Sequence, residues 1–196
     1  TPYIASFRAG WFDFRLCTVH IYFGSKKNEM GLYERSVTEI DAISSNLLQR
    51  QKEDDTSYIL LGDFNIPDTN GAYFNSLTSS GKKSGFYVPD EIKEHPTYLG
   101  QVSHYDQIAF KLKLDKSMVL FEKGKQKAGA FNFTKSVFRE EDYETYMPYY
   151  KEAYDKMIEG EKKKGKKNLT TAQSYYSGKW RTFQMSDHLP IWVEIK

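Results

Sequence analysis

The sequence has a single cysteine, Cys17, and no run of about 18 apolar residues. One cysteine excludes an internal disulfide framework and a cysteine-rich zinc site. Because Cys17 lies in the apolar alternation of residues 14–19, we expect a buried thiol, which is consistent with a reducing, cytoplasmic compartment. Without a long apolar run, no membrane span is predicted. No secretory signal is visible in these residues, and the chain begins with Thr rather than Met.

An excess of charge of one sign is also lacking, because 28 Lys and Arg residues nearly balance 26 Asp and Glu residues. The net charge of +2 does not indicate nucleic acid or an anionic membrane as a partner, so any charged partner must be recognised by a local patch. Apolar and aromatic residues are plentiful, with 15 Tyr and 13 Phe, which is enough for the core of one domain and excludes a disordered chain.

The residue pattern predicts alternating strands and helices. Strands are predicted where β-branched and aromatic residues concentrate, and helices where apolar residues recur every three or four positions. The alternation favours an α/β or mixed α+β layered fold over a helix bundle or a β-sandwich. The predicted strands are residues 13–23, 57–61, 105–113, 118–122 and 190–195, and the predicted helices are residues 31–52, 72–79 and 140–159.

Three short polar motifs border predicted strands. The motif GDFN, residues 62–65, follows a buried strand, at the end where α/β sheets bind ligands. The motif YDQI, residues 105–108, places a carboxylate at a strand entry, where it can orient a histidine. In SDHLP, residues 186–190, the adjacent Asp and His point in different directions, so one can bind a metal while the other reaches a phosphate. Each motif also has a purely structural interpretation: GDFN as an Asx turn, YDQI as a solvated strand end, and SDHLP as a turn before proline.

Taken together, in this order and after a strand that carries His20, the three motifs resemble the signature blocks of the endonuclease/exonuclease/phosphatase superfamily, which has the fold of pancreatic deoxyribonucleases. The resemblance implies a layered α/β sandwich and an active site for phosphoester hydrolysis. Asp63 would orient or activate the attacking water, and Asn65 would hold a phosphate oxygen. Asp106 would orient His188, which would act as the base or as a phosphate-stabilising imidazolium, and His20 would contact the phosphate.

The resemblance further implies a metal at Asp187 and Asp63. Carboxylates and imidazoles without thiolates suit Mg²⁺, or Mn²⁺, better than structural zinc. The family's main metal ligand is a Glu on an earlier strand, but the first Glu here is Glu29, which follows the His20 strand. We therefore expect residues 1–196 to be a single partial domain that lacks its N-terminal portion, so that a secretory signal upstream stays open. The isolated piece should bind metal weakly, be nearly inactive and self-associate.

The stretch between Asp106 and Asp187 is longer than compact family members need. We predict an insert at about residues 123–180, consisting of a helix and a mobile Lys-rich loop at residues 161–167. The lysines of this loop would contact a phosphate backbone or form a solvated charge run. Two arginines are predicted substrate contacts: Arg181, which could clamp a phosphate, and Arg8, which precedes the His20 strand.

The expected function is metal-dependent phosphoester hydrolysis by an activated water, with a nuclease as the favoured kind and nucleic acid as the substrate. One alternative is a phosphatase or phosphodiesterase of the same fold that acts on a phospholipid or an inositol phosphate. Another is a non-catalytic module that binds nucleic acid or a protein partner. Fold and motifs do not separate these, because the substrate is selected by loops on a shared scaffold.

Overall fold

The computed structural model describes residues 2–23, 30–78, 85–100, 102–113 and 127–195, with the side chains of residues 30–33 left aside. These residues form two compact units. The first, here called the sheet unit, comprises Thr1–Phe131 and Pro190–Lys196, and the second, here called the helical unit, comprises Asn132–Leu189. The strand predicted at residues 118–122 lies outside the described residues.

A four-stranded mixed sheet forms the centre of the sheet unit. Its strands follow the order β1, β2, β3, β4: β1 is Tyr3–Ala9, β2 is Phe12–His20, β3 is Ser57–Asp63 and β4 is Asp106–Lys111. Strands β2 and β3 are parallel, whereas β1 pairs with β2 and β4 pairs with β3 in antiparallel fashion. Helix α1, Met30–Asp54, connects the two parallel strands, as a parallel pair requires. The predictions for β2, α1, β3 and β4 are confirmed, and β1 was missed.

The other elements of the sheet unit are short. Helix α2, Ala72–Thr78, confirms the predicted helix, and α3, Asp90–Glu94, replaces part of a predicted loop. A second, two-stranded sheet pairs β5, Ala128–Ala130, with β6, Ile191–Val193. Strand β6 confirms the predicted terminal strand. None of the helices within the described ranges is long and apolar enough to cross a membrane.

The main sheet has an apolar core on each face because its strands alternate. One cluster contains Cys17, Leu60 and Ala109 from the sheet together with Ile40 and Leu47 from α1. The thiol of Cys17 is fully buried, as predicted, and burial raises its pKa. The opposite cluster is formed by alternate residues of the same strands, with β6 packed against it; its buried members are Phe12, Ile59, Ile108 and Phe110. Helices on one face and a strand on the other make the mixed layered fold that the sequence predicted.

At the sheet edge, β1 exposes two aromatic side chains, with Tyr3 70% and Phe7 49% accessible. A sheet edge that carries apolar side chains favours pairing with another chain. The predicted self-association has a physical basis here, and it stays a prediction.

The helical unit is built around aromatic rings. Its long helix α4, Tyr143–Lys163, is followed by the short helix α5, Ala172–Tyr175, and a π-helical turn, Tyr176–Trp180. Ring centroids lie 5.4 Å apart between Tyr150 and Trp180 and 5.7 Å apart between Tyr176 and Trp180. Tyr176 is fully buried, and burial raises the pKa of its hydroxyl to about 12.

The Lys-rich segment is more ordered than the prediction of a mobile loop. Helix α4 extends through Lys163, so the first lysines are helical. The Glu161 carboxylate accepts hydrogen bonds from Lys166 Nζ at 2.6 Å and from the backbone N–H of Thr170 at 2.8 Å. These bonds lower the pKa of Glu161 to about 2. The Glu161 carboxylate thus links the last turn of helix α4 to the chain that follows it. The spacing of residues in the sequence did not indicate this contact.

Candidate active site

Three polar residues lie side by side at one end of the main sheet. In the strand register, His20 is opposite Asp63, and Asp63 is opposite Asp106. Directly opposed residues on neighbouring strands share a face of the sheet, with Cβ atoms about 5 Å apart. By the same alternation, this is the face against which β6 packs, since Leu61 and Ile108 belong to that cluster. We call these three residues the strand-end row.

The two carboxylate oxygens of Asp63 face different groups. Oδ1 accepts a hydrogen bond of 2.8 Å from the backbone N–H of Asn65, which closes an Asx turn after β3. Oδ2 lies 3.5 Å from Nε2 of His20, which is longer than a good hydrogen bond. The side chain of Asp63 is 22% exposed and that of His20 is 80% exposed. The carboxylate is therefore fixed by the backbone, and the imidazole is open to solvent.

Gly62 of the GDFN motif allows β2 and β3 to meet closely. Its φ is +140°, a conformation that side chains disfavour, and a Cβ there would lie 2.0 Å from the carbonyl oxygen of Val19. No real side chain tolerates that contact, so glycine is required. This glycine holds Asp63 in register with His20.

Asn65 ties the end of β3 to the chain after β2. Its backbone is left-handed, with φ of 52°, which asparagine tolerates better than most residues. Its side-chain Nδ2 donates a hydrogen bond of 2.7 Å to the carbonyl of Ile21, and the residue is 8% exposed. Asn65 thus has a structural task at the site, and its role on a phosphate oxygen stays a prediction.

Asp106 is positioned from two sides through the backbone. Its N–H donates a hydrogen bond of 3.0 Å to Oγ1 of the buried Thr97. Next to it, the carbonyl of Tyr105 accepts a hydrogen bond of 2.7 Å from the N–H of Phe64. The loop after β3 and the entry to β4 are therefore joined, which holds the two aspartates of the strand-end row together.

Asp187 and His188 belong to the helical unit. The backbone N–H of His188 donates a hydrogen bond of 2.9 Å to Oγ of Ser186. The structure thus brings His20, Asp63, Asn65 and Asp106 together in one unit. The predicted action of Asp106 on His188 stays a prediction.

The two arginines predicted to contact substrate, Arg8 and Arg181, both contact other groups of the protein, and their substrate roles stay predictions. Arg8 pairs with Asp13 at 3.3 Å, opposite it in the β1–β2 register. Asp13 and His20 are seven residues apart on β2, which is about 23 Å in a strand, so Arg8 lies at the far end of the sheet. Arg181 donates hydrogen bonds to the backbone carbonyls of Ser177 at 3.0 Å and Phe138 at 3.2 Å. Its guanidinium is thus held against the backbone of the helical unit, and its role as a phosphate clamp stays a prediction.

Sequence reasoning missed a contact between helix α1 and the chain that follows β2. The guanidinium carbon of Arg35, on α1, lies 4.7 Å from the ring centroid of Tyr22, a residue that comes two positions after His20. Ser36 Oγ donates a hydrogen bond of 2.7 Å to the carbonyl of Tyr22, which fixes the same stretch. Because α1 and the end of β2 meet only in the folded chain, nothing in the local sequence indicated this contact.

The carboxylate and imidazole groups of the strand-end row are of the types that bind a hard divalent cation, but they are too few to form a complete site. Within the part of the chain that the structure describes, no three His, Cys, Asp or Glu side chains come together in a way that could hold a metal ion. One oxygen of Asp63 is, moreover, occupied by the Asn65 N–H. The described residues therefore do not fit a complete Mg²⁺ site, which needs several well-placed oxygen ligands.

A cleft of about 340 Å³ lies at the opposite end of the sheet. It is lined by Asp13, Asp55 and Lys113 together with Trp11 and the start of β3. Asp55 forms an ion pair with Lys113, and Asp13 pairs with Arg8. Since its charges are matched within the protein, this cleft is a weaker candidate for catalysis than the strand-end row.

Neither a protein-family model nor a curated protein matches the chain. The solved structures that match the chain include sphingomyelinase C from Streptomyces griseocarneus (12% identity, TM-score 0.45), a mannosyl-6-phosphatase from Bacteroides thetaiotaomicron (15%, 0.41) and beta toxin from Staphylococcus aureus (11%, 0.51). The matches cover 66%, 62% and 100% of this chain and 46%, 42% and 57% of those proteins, respectively.

The chain thus spans about half the length of the proteins that it matches. At such low identity the likeness concerns the fold alone, and the beta toxin match, which covers the whole chain, carries it. This chain therefore has the mixed α/β fold of the deoxyribonuclease-like proteins, as its three motifs predicted.

Proposed function

We propose that this chain carries catalytic residues of a phosphoester hydrolase, and that its substrate is a phosphodiester of nucleic acid. The observation that supports this most directly is the strand-end row, in which His20, Asp63 and Asp106 share one face of the sheet. An imidazole and two carboxylates at a solvent-accessible sheet end are suited to hold a phosphate and its attacking water.

In this proposal Asp63 orients the water. One of its oxygens is fixed by the Asn65 N–H, so the other keeps a constant direction toward the His20 side. His20, which is exposed, would donate a hydrogen bond to a phosphate oxygen and stabilise the charge that develops there. His188 is the proposed base, with Asp106 keeping its imidazole in the required tautomer.

The proposal includes dependence on Mg²⁺ or Mn²⁺, with Asp63 and Asp187 as ligands. Two carboxylates are too few for firm binding of Mg²⁺, so other groups would have to complete its coordination. The ion would supply charge stabilisation and an acidified water. The residues described here position the phosphate and the water in either case.

The test is hydrolysis of plasmid DNA and of bis-p-nitrophenyl phosphate by the natural full-length protein, with Mg²⁺, Mn²⁺ or EDTA. We expect metal-dependent cleavage that falls about 100-fold or more in Asp63→Asn and in His188→Ala. Asp13→Asn, a matched carboxylate at the far end of β2, should retain activity within about twofold. Cleavage that both site variants retain would overturn the residue assignment. Inactivity on both substrates, with turnover of a phospholipid or a phosphomonoester, would overturn the nuclease proposal.

A further inference from the structure

We propose that Thr97, His104 and Gln107 are positioning residues for Asp106, and that they hold it in place only while the imidazole of His104 is uncharged. We call these three residues the polar junction. The inference rests on the proposed function and adds to it a group that controls the strand-end row from inside the protein. Of the three residues, only Gln107 lies in a sequence motif.

Two side chains of the polar junction anchor the backbone around Asp106. Oγ1 of Thr97 accepts a hydrogen bond of 3.0 Å from the N–H of Asp106. Nε2 of Gln107 donates a hydrogen bond of 2.7 Å to the carbonyl of His104, which links the two ends of residues 104–107. Thr97 is itself held, because its N–H donates a hydrogen bond of 2.9 Å to the carbonyl of Ser103.

The same stretch is tied to the loop that follows β3. The N–H of His104 donates a hydrogen bond of 3.1 Å to the carbonyl of Ile66, and the carbonyl of Tyr105 accepts one of 2.7 Å from the N–H of Phe64. The backbone around Asp106 is therefore held by contacts from two other chain segments. Since the direction of a carboxylate follows its backbone, opening of these contacts releases the Asp106 side chain from its place in the strand-end row.

The polar junction lies inside the protein. Thr97 and Gln107 have no exposed surface, and His104 is 8% exposed. Gln107 follows Asp106 on β4, and strand alternation places its side chain on the opposite face of the sheet. It therefore acts on Asp106 through the backbone. Buried polar groups that bond one another make a structure rigid, which suits a positioning role.

The imidazole of His104 lies where a positive charge is unfavourable. Its Nδ1 is buried, and no residue that the structure describes forms a hydrogen bond with it. A protonated imidazole carries an N–H on both nitrogens, so protonation would leave a buried donor unpaired.

The surroundings of His104 keep its imidazole neutral. Burial lowers the pKa of His104. This effect outweighs a hydrogen bond with the backbone of His95 and the charge of Asp68, both of which raise the pKa. The imidazole of His95 adds to the lowering. These two titratable groups come from the segment after α3 and from the loop after β3.

Protonation of His104 favours opening of the polar junction. Because the pKa of His104 is lower in the closed junction than in water, an opened junction binds the proton first as the pH falls. Closure is therefore fully favoured above the ordinary histidine pKa of about 6.5 and weakens below it. At one pH unit below that value, closure is disfavoured by up to about 10-fold in its equilibrium constant.

The first test is hydrogen exchange of the Asp106 amide in the full-length protein, measured by NMR as a protection factor, which corrects for the intrinsic pH dependence of exchange. Between pH 7.5 and pH 5.5 we expect the wild-type protection to fall by about 3- to 10-fold. His104→Gln, whose side chain takes up no proton, should lose less than about twofold. An equal fall in both proteins, or no fall in the wild type, would overturn the role of His104.

The second test is hydrolysis of bis-p-nitrophenyl phosphate by the full-length protein at pH 7.5. Thr97→Val keeps the shape of the side chain but removes the acceptor of the Asp106 N–H, so kcat should fall by about 10- to 100-fold, with KM within about threefold. Thr97→Ser keeps the hydroxyl and should retain most of the activity. The matched control is Thr56→Val at the far end, which removes a hydroxyl that donates to the Asp54 carbonyl and should stay within about twofold.

Circular dichroism and thermal melting establish that each variant is folded. If Thr97→Val melts below the assay temperature, Gln107→Met replaces it, because methionine has nearly the same volume and lacks the donor to the His104 carbonyl. Loss of that hydrogen bond should lower kcat by about 3- to 10-fold. An unchanged kcat in the folded variant would overturn the positioning role.

The two tests separate this inference from the proposed function. Hydrogen exchange needs no turnover, so a pH-dependent Asp106 amide in a protein that hydrolyses no phosphoester would reject the proposed function alone. Hydrolysis that falls in Asp106→Asn but not in Thr97→Val, together with pH-independent exchange, would reject the polar junction alone.

Discussion

The two ends of the main sheet both carry charged residues, but the partners of those residues differ. At the far end, Asp13 pairs with Arg8, Asp55 pairs with Lys113, and Asp54 forms a network with Arg15 and the hydroxyl of Tyr58. At the strand-end row, the contacts of Asp63 include a backbone N–H and the imidazole of His20. A guanidinium or ammonium neutralises a carboxylate permanently, whereas a backbone amide and an imidazole orient it and leave it able to act on a ligand.

The cleft of the sheet unit does not coincide with the candidate active site. The cleft of about 340 Å³ lies at the far end, among matched charges. The strand-end row lies on a more open edge, where Gly62 and Asn65 use backbone geometry to align the side chains. The ion pairs and the proposed catalytic residues therefore occupy opposite ends of the same strands, and each end can be altered with the other as its control.

The largest loss of stability is expected from replacing Gly62, which precedes Asp63 of the strand-end row, by a residue with a side chain. Gly62→Ala places a Cβ 2.0 Å from the Val19 carbonyl oxygen at a φ that disfavours side chains. We expect the free energy of unfolding to fall by about 3 kcal/mol or more, measured by urea denaturation. Gly10→Ala, at the β1–β2 turn of the far end, has φ of +60° and open space, and should cost about 1–2 kcal/mol. Equal losses in the two variants would contradict the close approach of β2 and β3.

Asp55 and Asn65, which lie before and after β3, both have left-handed backbone conformations, and their replacement by glycine gives the next comparison. Asn65→Gly keeps the backbone conformation but removes the donor to the Ile21 carbonyl, so we expect a loss of about 1–3 kcal/mol in unfolding free energy. Asp55→Gly relieves a φ of 49° at the far end and loses only an exposed ion pair with Lys113. It should change stability by less than about 1 kcal/mol. A greater loss in Asp55→Gly than in Asn65→Gly would show that the Asn65 side chain does not hold the site.

At the far end, Tyr58→Phe tests the internal network. The Tyr58 hydroxyl accepts from Arg15 at 2.7 Å and donates to Asp54 at 3.0 Å, so its removal should cost about 1 kcal/mol at neutral pH. Burial raises the pKa of Tyr58, so the unfolded chain ionises first as the pH rises. The wild type should therefore lose stability above about pH 10, and the variant should lose less of it. Denaturation at pH 7 and at pH 10.5 measures both effects, and equal alkaline losses would contradict the burial argument.

The smallest effect is expected for the exposed pair at the far end. The side chains of Arg8 and Asp13 are 72% and 63% exposed. Such a pair contributes little, so Arg8→Ala should change unfolding free energy by less than about 0.5 kcal/mol. Phosphodiester hydrolysis should also stay within about twofold of the wild type. A large loss of activity would support Arg8 as a substrate contact and contradict the separation of the two ends.

The sequence predicted the elements whose patterns are long and local. Residues of β2, α1 and β3 have clear alternation or helical periodicity, and the polar motif at residues 62–65 was correctly expected to follow a buried strand. The edge strand β1 escaped prediction because most of its residues are exposed, so it has little apolar alternation. Strand β5 and helix α3 span three and five residues, which is too short for a periodic signal.

For the site, the sequence predicted residue types but not their neighbours. His20, Asp63 and Asp106 were predicted from the resemblance of three strand-bordering motifs to a known family, and the strand register brings these residues together. The partners of Arg8 and Arg181 could not be predicted, because they are set by strand pairing and by the packing of turns. The contact between Arg35 and Tyr22, the close approach at Gly62 and the fastening of Glu161 to Thr170 likewise depend on chain segments that meet only after folding.

The central claim is that the two ends of this sheet have different tasks, and one measurement tests it directly. The kcat/KM for bis-p-nitrophenyl phosphate is compared between Asp106→Asn and Asp55→Asn in the full-length protein, after circular dichroism has established that both are folded. We predict a loss of about 100-fold or more for Asp106→Asn and a change within about twofold for Asp55→Asn. Equal activities in the two variants, or a greater loss in Asp55→Asn, would contradict the assignment of the strand-end row as the catalytic end.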